Sequence, residues 1–266
     1  MFGCFMQVSL LEGMYHANIV ELIDVFAGVC AGDIPRLILA RGGHTLEAVY
    51  TLPEFDTGRA PYIVQQLLQA VLYLQENDII HCNIEPTSVL LDVCDIVQLS
   101  AFEDARIERA GFREEISDHL AAKHGLAIGR LEFRALELLL GDTSFSFSVD
   151  SWSIGCLFWS LLIQRPCFPG QTVDEMVRVI FKATSGPTAR EAEELACLPR
   201  WEEGFRKAAT QEDWASRLFK PEQAEFLTGM LCLAPSRFVV NMQEKWRILK
   251  SLLLWFLNTS FAFLIR

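Results

Sequence analysis

The segment VDSWSIGCLFWSLLI, residues 149–163, limits the possible folds more than any other part of the chain. Past Asp150 it carries no charge and is apolar nearly all round. A helix of that kind has to be enclosed by other helices. It therefore predicts a helical domain with this segment at its centre. A chain of 266 residues, 51% of them hydrophobic, is long enough to build such an enclosure as one large domain or two small ones.

Neighbouring segments supply the surrounding layer. In YIVQQLLQAVLYLQEN, Ile63, Val64, Leu67, Leu68, Val71, Leu72 and Leu74 recur at the i, i+3, i+4 spacing of an amphipathic helix. VDEMVRVIFKA and PEQAEFLTGMLCL predict two more helices. Nearer the start, IVELIDVF (19–26) and RLILA (36–40) are short β-branched and aliphatic runs separated by Gly28, Gly32 and Asp33, which suits two antiparallel strands joined by a turn. No repeat, low-complexity block or Pro/Ser-rich linker divides the sequence. The expected fold class is α+β, mainly α, with a small β portion at the front.

Charge and cysteine usage narrow the setting. Lys and Arg number 23 against 34 Asp and Glu, a net charge of −11, which argues against a nucleic-acid groove or an anionic membrane surface as the main partner. The eight cysteines show no C-x-x-C and no zinc-like spacing with histidine, so they read as buried thiols of a reducing compartment. MFGCFMQVSLLEGM is a poor signal peptide, lacking both a basic start and a small-residue cleavage site. A cytoplasmic or nuclear location is expected. The final tract, ILKSLLLWFLNTSFAFLIR, is apolar over 248–266 but interrupted by Lys250 and Asn258-Thr259-Ser260, whereas a spanning helix needs about 20 predominantly apolar residues. A buried C-terminal helix is favoured there over a tail anchor.

The order of the motifs carries a resemblance. HANIVELIDVF (16–26), IIHCNIEPTSVLLD (79–92), VQLSAFEDAR (97–106), FRALELLLG (133–141), SVDSWSIGCLFWSLL (148–162), FPGQTVDEMVRVI (168–180) and LAPSRF (233–238) follow the order and separations seen in protein kinases. HANIV, and FPG with its following helix, are most similar to the cyclin-dependent and MAP kinase group. The resemblance implies a remnant of the kinase small lobe over 1–43, a kinase-like helical lobe over 44–246 and an apolar tail over 247–266. No G-x-G-x-x-G run occurs, and the helix that carries the family's ion-pair Glu has Gln7 instead.

Set against that resemblance, the chemistry has been exchanged. The family's catalytic loop uses an Asp as proton acceptor, a Lys beside the phosphoryl group and an Asn on magnesium. Here those positions hold Asn83, Glu85 and Ser88. An amide has no lone pair basic enough to take a proton near neutral pH. An anion about 4 Å from phosphate, at an effective dielectric of 20, costs roughly 4 kcal/mol where a cation would gain it. The metal-binding D-F-G reads Ala101, Phe102, Glu103, and a methyl group cannot replace a hard oxygen ligand.

What the resemblance leaves intact is structural. Asp150 would accept hydrogen bonds from the catalytic-loop backbone or cap its helix, Glu137 and Arg237 would form a buried ion pair, and His81 would pack and hydrogen-bond. Cys82 replaces an arginine that grips a phosphorylated loop, and Ser117, among acids, is a poor site for that phosphate.

Three functional readings follow. The leading one is a catalytically inactive kinase-like module that binds a protein partner and no cofactor, with exposed apolar residues Phe2, Phe5 and Leu11 at the contact. The second is a divergent Ser/Thr kinase that uses ATP and Mg and is present as a fragment. The third is a gene product without function.

Overall fold

A computed structural model of the chain describes residues 2–26, 36–40, 42–108, 129–208 and 214–234. Helix α1, Phe2–Leu11, opens the chain and packs against the 3₁₀ turn Phe102–Asp104. Strands β1, Leu22–Phe26, and β2, Arg36–Leu39, pair antiparallel in the register Leu22↔Leu39, Asp24↔Ile38, Val25↔Leu37 and Phe26↔Arg36, with a bulge at Ile23. Leu22, Leu37 and Leu39 face the core, while Asp24, Phe26, Arg36 and Ile38 face solvent. Alternation along a half-buried strand produces this division.

Strand β3, His44–Thr45, leads into the single-turn helix α2, Glu47–Tyr50. Helix α3, Ala60–Glu76, follows a 3₁₀ turn capped by Asp56, whose side chain accepts from the Gly58 amide. All seven residues assigned to its apolar face by spacing are buried. Four short strands come next: β4, Ile79–Ile80; β5, Val89–Leu91; β6, Val97–Leu99; and β7, Arg106–Ile107. They form an antiparallel sheet ordered β3-β5-β6 and a separate antiparallel β4-β7 pair.

The rest of the described chain is helical. Helices α4, Leu136–Leu139, and α5, Ser148–Ile163, are followed by α6, Val173–Ala183, α7, Ala189–Leu195, α8, Trp214–Leu218, and α9, Pro221–Met230. Helix α5 is buried from Ser148 through Leu161 and packs against α3 on one side and α9 on another. The approach to α9 needs Gly155, because a Cβ there would lie 2.8 Å from a Leu231 methyl and 2.9 Å from Met230 Cβ. Aromatic rings close the layer: Phe158 meets Phe226 edge-on, and Trp159 stacks on Trp214. Threonines start α6 and α7, Thr172 accepting from the Glu175 amide and Thr188 forming a reciprocal capping box with Glu191.

A buried amide network joins the front elements to the helices. Asn18 Nδ2 donates to Gln66 Oε1 at 3.0 Å and to the Val97 carbonyl at 2.9 Å. Gln66 in turn accepts from the Val97 amide and donates to the Asp95 carbonyl, while Arg59 pairs with the Asp95 carboxylate.

One expectation is corrected here. Leu11 is only 3% exposed and belongs to the hydrophobic core, since α1 turns that side chain inward where the chain itself covers it. The side chains of Phe2 and Phe5, and the tract 247–266, lie outside the described residues. Among the described residues no helix is long and apolar enough to cross a membrane, and no group of three His, Cys, Asp or Glu is placed to hold a metal ion.

Candidate functional site

The catalytic-like loop after β4 hangs from a single carboxylate. Asp150, in the first turn of α5, accepts from the His81 amide through Oδ2 and from the Cys82 amide through Oδ1, both at 2.8 Å. The residue before that helix is Phe147, which makes no side-chain cap, so Asp150 holds the loop and does not occupy the N-cap position. The loop needs such an anchor, because Cys82 has φ 65°, a left-handed conformation costly for a residue with a Cβ. Burial pushes the Cys82 thiol well up, and the neighbouring Asp150 charge adds to it. This thiol is therefore a packed, protonated group.

His81 is fully enclosed. Its Nδ1 accepts from the Asn83 amide at 3.2 Å, which fixes the proton on Nε2 for the Ser100 carbonyl at 2.9 Å. Its ring stands edge-on to Phe102 at 4.7 Å. Burial lowers its pKa to about 4, so the ring is neutral at physiological pH and carries no proton to a substrate.

Two of the three exchanged loop positions, Glu85 and Ser88, are tied up in hydrogen bonds that hold the loop. Glu85 is buried; Oε1 accepts from the Thr87 hydroxyl and Oε2 from the Arg130 amide at 3.0 Å. The Ser88 hydroxyl accepts from the Glu85 amide at 3.0 Å and donates to the Glu85 carbonyl at 2.9 Å. Asn83 Oδ1 is buried with no hydrogen-bond partner among the described residues and faces Gly129, where a Cβ would lie 3.3 Å away. Gly129 has φ 62°, so two separate constraints favour glycine there.

Arg130 completes the arrangement. Its guanidinium reaches Glu47 on α2 at 3.1 Å and Glu132 at 3.5 Å. Burial works against that charge, but the hydrogen bond and charge of Glu47, with Glu132 and Glu85 behind it, raise its pKa overall. Asn83, Glu85, Gly129, Arg130 and Arg134 line a shallow recess beside the loop. Sequence reasoning missed Glu47, Arg130 and Glu132. The one available signal was an arginine beside the F-R-A-L-E motif in an otherwise acidic chain.

The remaining candidate positions are spread out. Ala101 is left-handed at φ 65°, ψ 59°, and starts the turn that buries Phe102. Glu103 in that turn is exposed, and Gln7 is buried on α1. Glu137 is buried on α4 and accepts from the Ser148 hydroxyl at 2.8 Å, and burial pushes its carboxyl up. Arg237 and Ser117 lie outside the described residues.

Comparison with known proteins places this arrangement in a family. The protein kinase domain matches residues 4–243. Extracellular signal-regulated kinase 2 of Dictyostelium discoideum is 28% identical over 197 residues, covering 72% of this chain and 51% of that protein. Cyclin-dependent kinase 11B of Homo sapiens is 30% identical over 186 residues, 69% of this chain and 22% of that one. A serine/threonine-protein kinase of Debaryomyces hansenii is 24% identical over 251 residues, 86% of this chain and 40% of that one. The chain thus spans about half or less of the length of these relatives. Among solved structures, a chain in the crystal structure of the yeast RNA Pol II CTD kinase CTDK-1 complex is similar with a TM-score of 0.72 and 21% identity, over 89% of this chain and 77% of that chain. That likeness is one of fold. With a match along most of its length and relatives in the cyclin-dependent and MAP kinase group, the chain belongs to the protein kinase family.

Proposed function

We propose that this chain is a catalytically inactive member of the protein kinase family that serves as a protein-interaction module in the cytoplasm or nucleus. The observation that carries the reading is the state of Glu85. At the position where the family places a phosphate-supporting lysine, this carboxylate is buried and spends its oxygens on Thr87 and the Arg130 amide. A negative group committed to holding the loop closed cannot also support a transferring phosphoryl group.

The residues at the metal positions do not fit magnesium. Ser88 has its hydroxyl tied to the Glu85 backbone, and Ala101 offers a methyl group where an oxygen ligand is needed. Asn83 supplies an amide where a base is required. On this reading the loop has no set of hard oxygen ligands with which to hold magnesium against a nucleotide. A role in assembly is supported by the solved relative, a kinase described as part of a complex.

A second reading, a divergent Ser/Thr kinase, draws on the loop backbone, which Asp150 still holds in place. One experiment separates the two. Ligand at a hundredfold above its Kd stabilises a fold by about 2.7 kcal/mol. Thermal melts with and without millimolar Mg-ATP should coincide, and radiolabelled phosphate should not reach a generic Ser/Thr substrate. A magnesium-dependent rise of several degrees, or incorporated label, overturns the inactive reading in favour of the divergent enzyme.

A further inference from the structure

The solvent face of the β1–β2 sheet carries exposed apolar side chains that the site does not use. Ile23 is 62% exposed, Phe26 55% and Ile38 39%. Two strands are fewer than an independently stable sheet needs, so this sheet depends on what packs against it. Its inner face has the core; its outer face has solvent.

The register arranges that outer face as four corners. Asp24 lies opposite Ile38 and Phe26 opposite Arg36, so Asp24 is diagonal to Arg36 and Phe26 is diagonal to Ile38. Among the described residues neither Asp24 nor Arg36 makes a salt bridge; Asp24 Oδ1 accepts only from the adjacent Val25 amide.

This pattern is self-complementary under one operation. A two-fold axis along the Phe26–Ile38 diagonal sets Phe26 on its own copy and Ile38 on its own copy. It also sets Asp24 of each copy over Arg36 of the other, forming two ion pairs. Two-fold axes along either sheet direction instead set a charge against an apolar side chain. The axis along the Asp24–Arg36 diagonal sets like charges together. A diagonal axis makes the strands of the two sheets cross at roughly a right angle, one of the two established ways that sheets pack face to face. A self-complementary patch on one axis is what an isologous dimer requires.

We infer that the outer face of the β1–β2 sheet is a homodimer interface, whose partner is a second copy of this chain with Asp24 and Arg36 paired across the axis. The net charge of −11 opposes self-association, so the dimer is weak and concentration-dependent.

The test is sedimentation velocity across a concentration series on the full chain and four variants. The unmodified chain should shift from monomer to dimer as concentration rises. Phe26→Glu should remain monomeric while keeping its far-UV circular dichroism, because the side chain is exposed. Asp24→Arg and Arg36→Asp should each weaken association by about tenfold or more, since each sets like charges across the axis. The double exchange D24R with R36D should restore it. A monomer at all concentrations, a dimer indifferent to Phe26→Glu, or a double variant no better than the singles each overturns the assignment.

Discussion

Ala101 is held at φ 65° although it has a Cβ, and the left-handed region costs such a residue about 1–2 kcal/mol. Glycine gives up roughly 0.5–1 kcal/mol of chain entropy but removes that strain. Ala101→Gly should therefore raise stability by up to about 1 kcal/mol in a urea titration, while Ala101→Val should lower it; a loss with glycine would show that the backbone is not held left-handed. His81 sets a pH dependence of definite sign. Its pKa falls from 6.5 in the unfolded chain to about 4 in the folded one, so the unfolded state binds the proton first. Its contribution is complete above pH 6.5 and lost as pH falls toward 4, on the order of 3 kcal/mol in all. In His81→Gln, the slope of stability against pH across that window should flatten by nearly one proton, as read from urea midpoints at a series of pH values.

At the level of elements, the clasp between the catalytic-like loop, α2 and the 129–134 segment is the feature that sequence reading could least reach. Glu85→Lys, which would restore the family's residue type, should destabilise the fold. It removes the acceptor for Thr87 and for the Arg130 amide and sets a cation beside that guanidinium. A cost of about 1–3 kcal/mol in the unfolding midpoint is expected, and an unchanged midpoint would mean that Glu85 is not built into the loop. The partners explain why this was illegible. Glu85 and Arg130 are 45 residues apart, and Arg130 and Glu47 are 83 apart, so no local pattern links them. Helices α3 and α5 were legible because their burial is written in consecutive turns, and β1 and β2 because both are short apolar runs bounded by glycine or aspartate. Two-residue strands such as β3 and β4 exist only through their pairing partners and leave no period to read. Leu11 was misread for a related reason. Its environment is supplied by residues distant in sequence, so its own segment cannot say whether it is covered.

For the whole molecule, the amide network around Asn18 has a kinetic meaning. It runs between the chain before β1, helix α3 and strand β6, and its donors and acceptors are buried. Asn18→Leu should cost about 2–3 kcal/mol, because the Gln66 oxygen and the Val97 carbonyl each lose a buried donor. The cost should appear in the single unfolding transition of the whole described fold, and a separate early transition would contradict that. Swinging the front elements away from the helices as a rigid body means breaking the same bonds. Two of these bonds, both from Asn18, cross that joint, and opening it also exposes the buried apolar side chains Leu10, Leu11, Ile19 and Val20, so the opened arrangement should be rarely populated. Amide hydrogens of β6 should then exchange almost as slowly as those of α5. This makes the joint a stiff strut that transmits force between its two ends, in contrast to a hinge, which would absorb it.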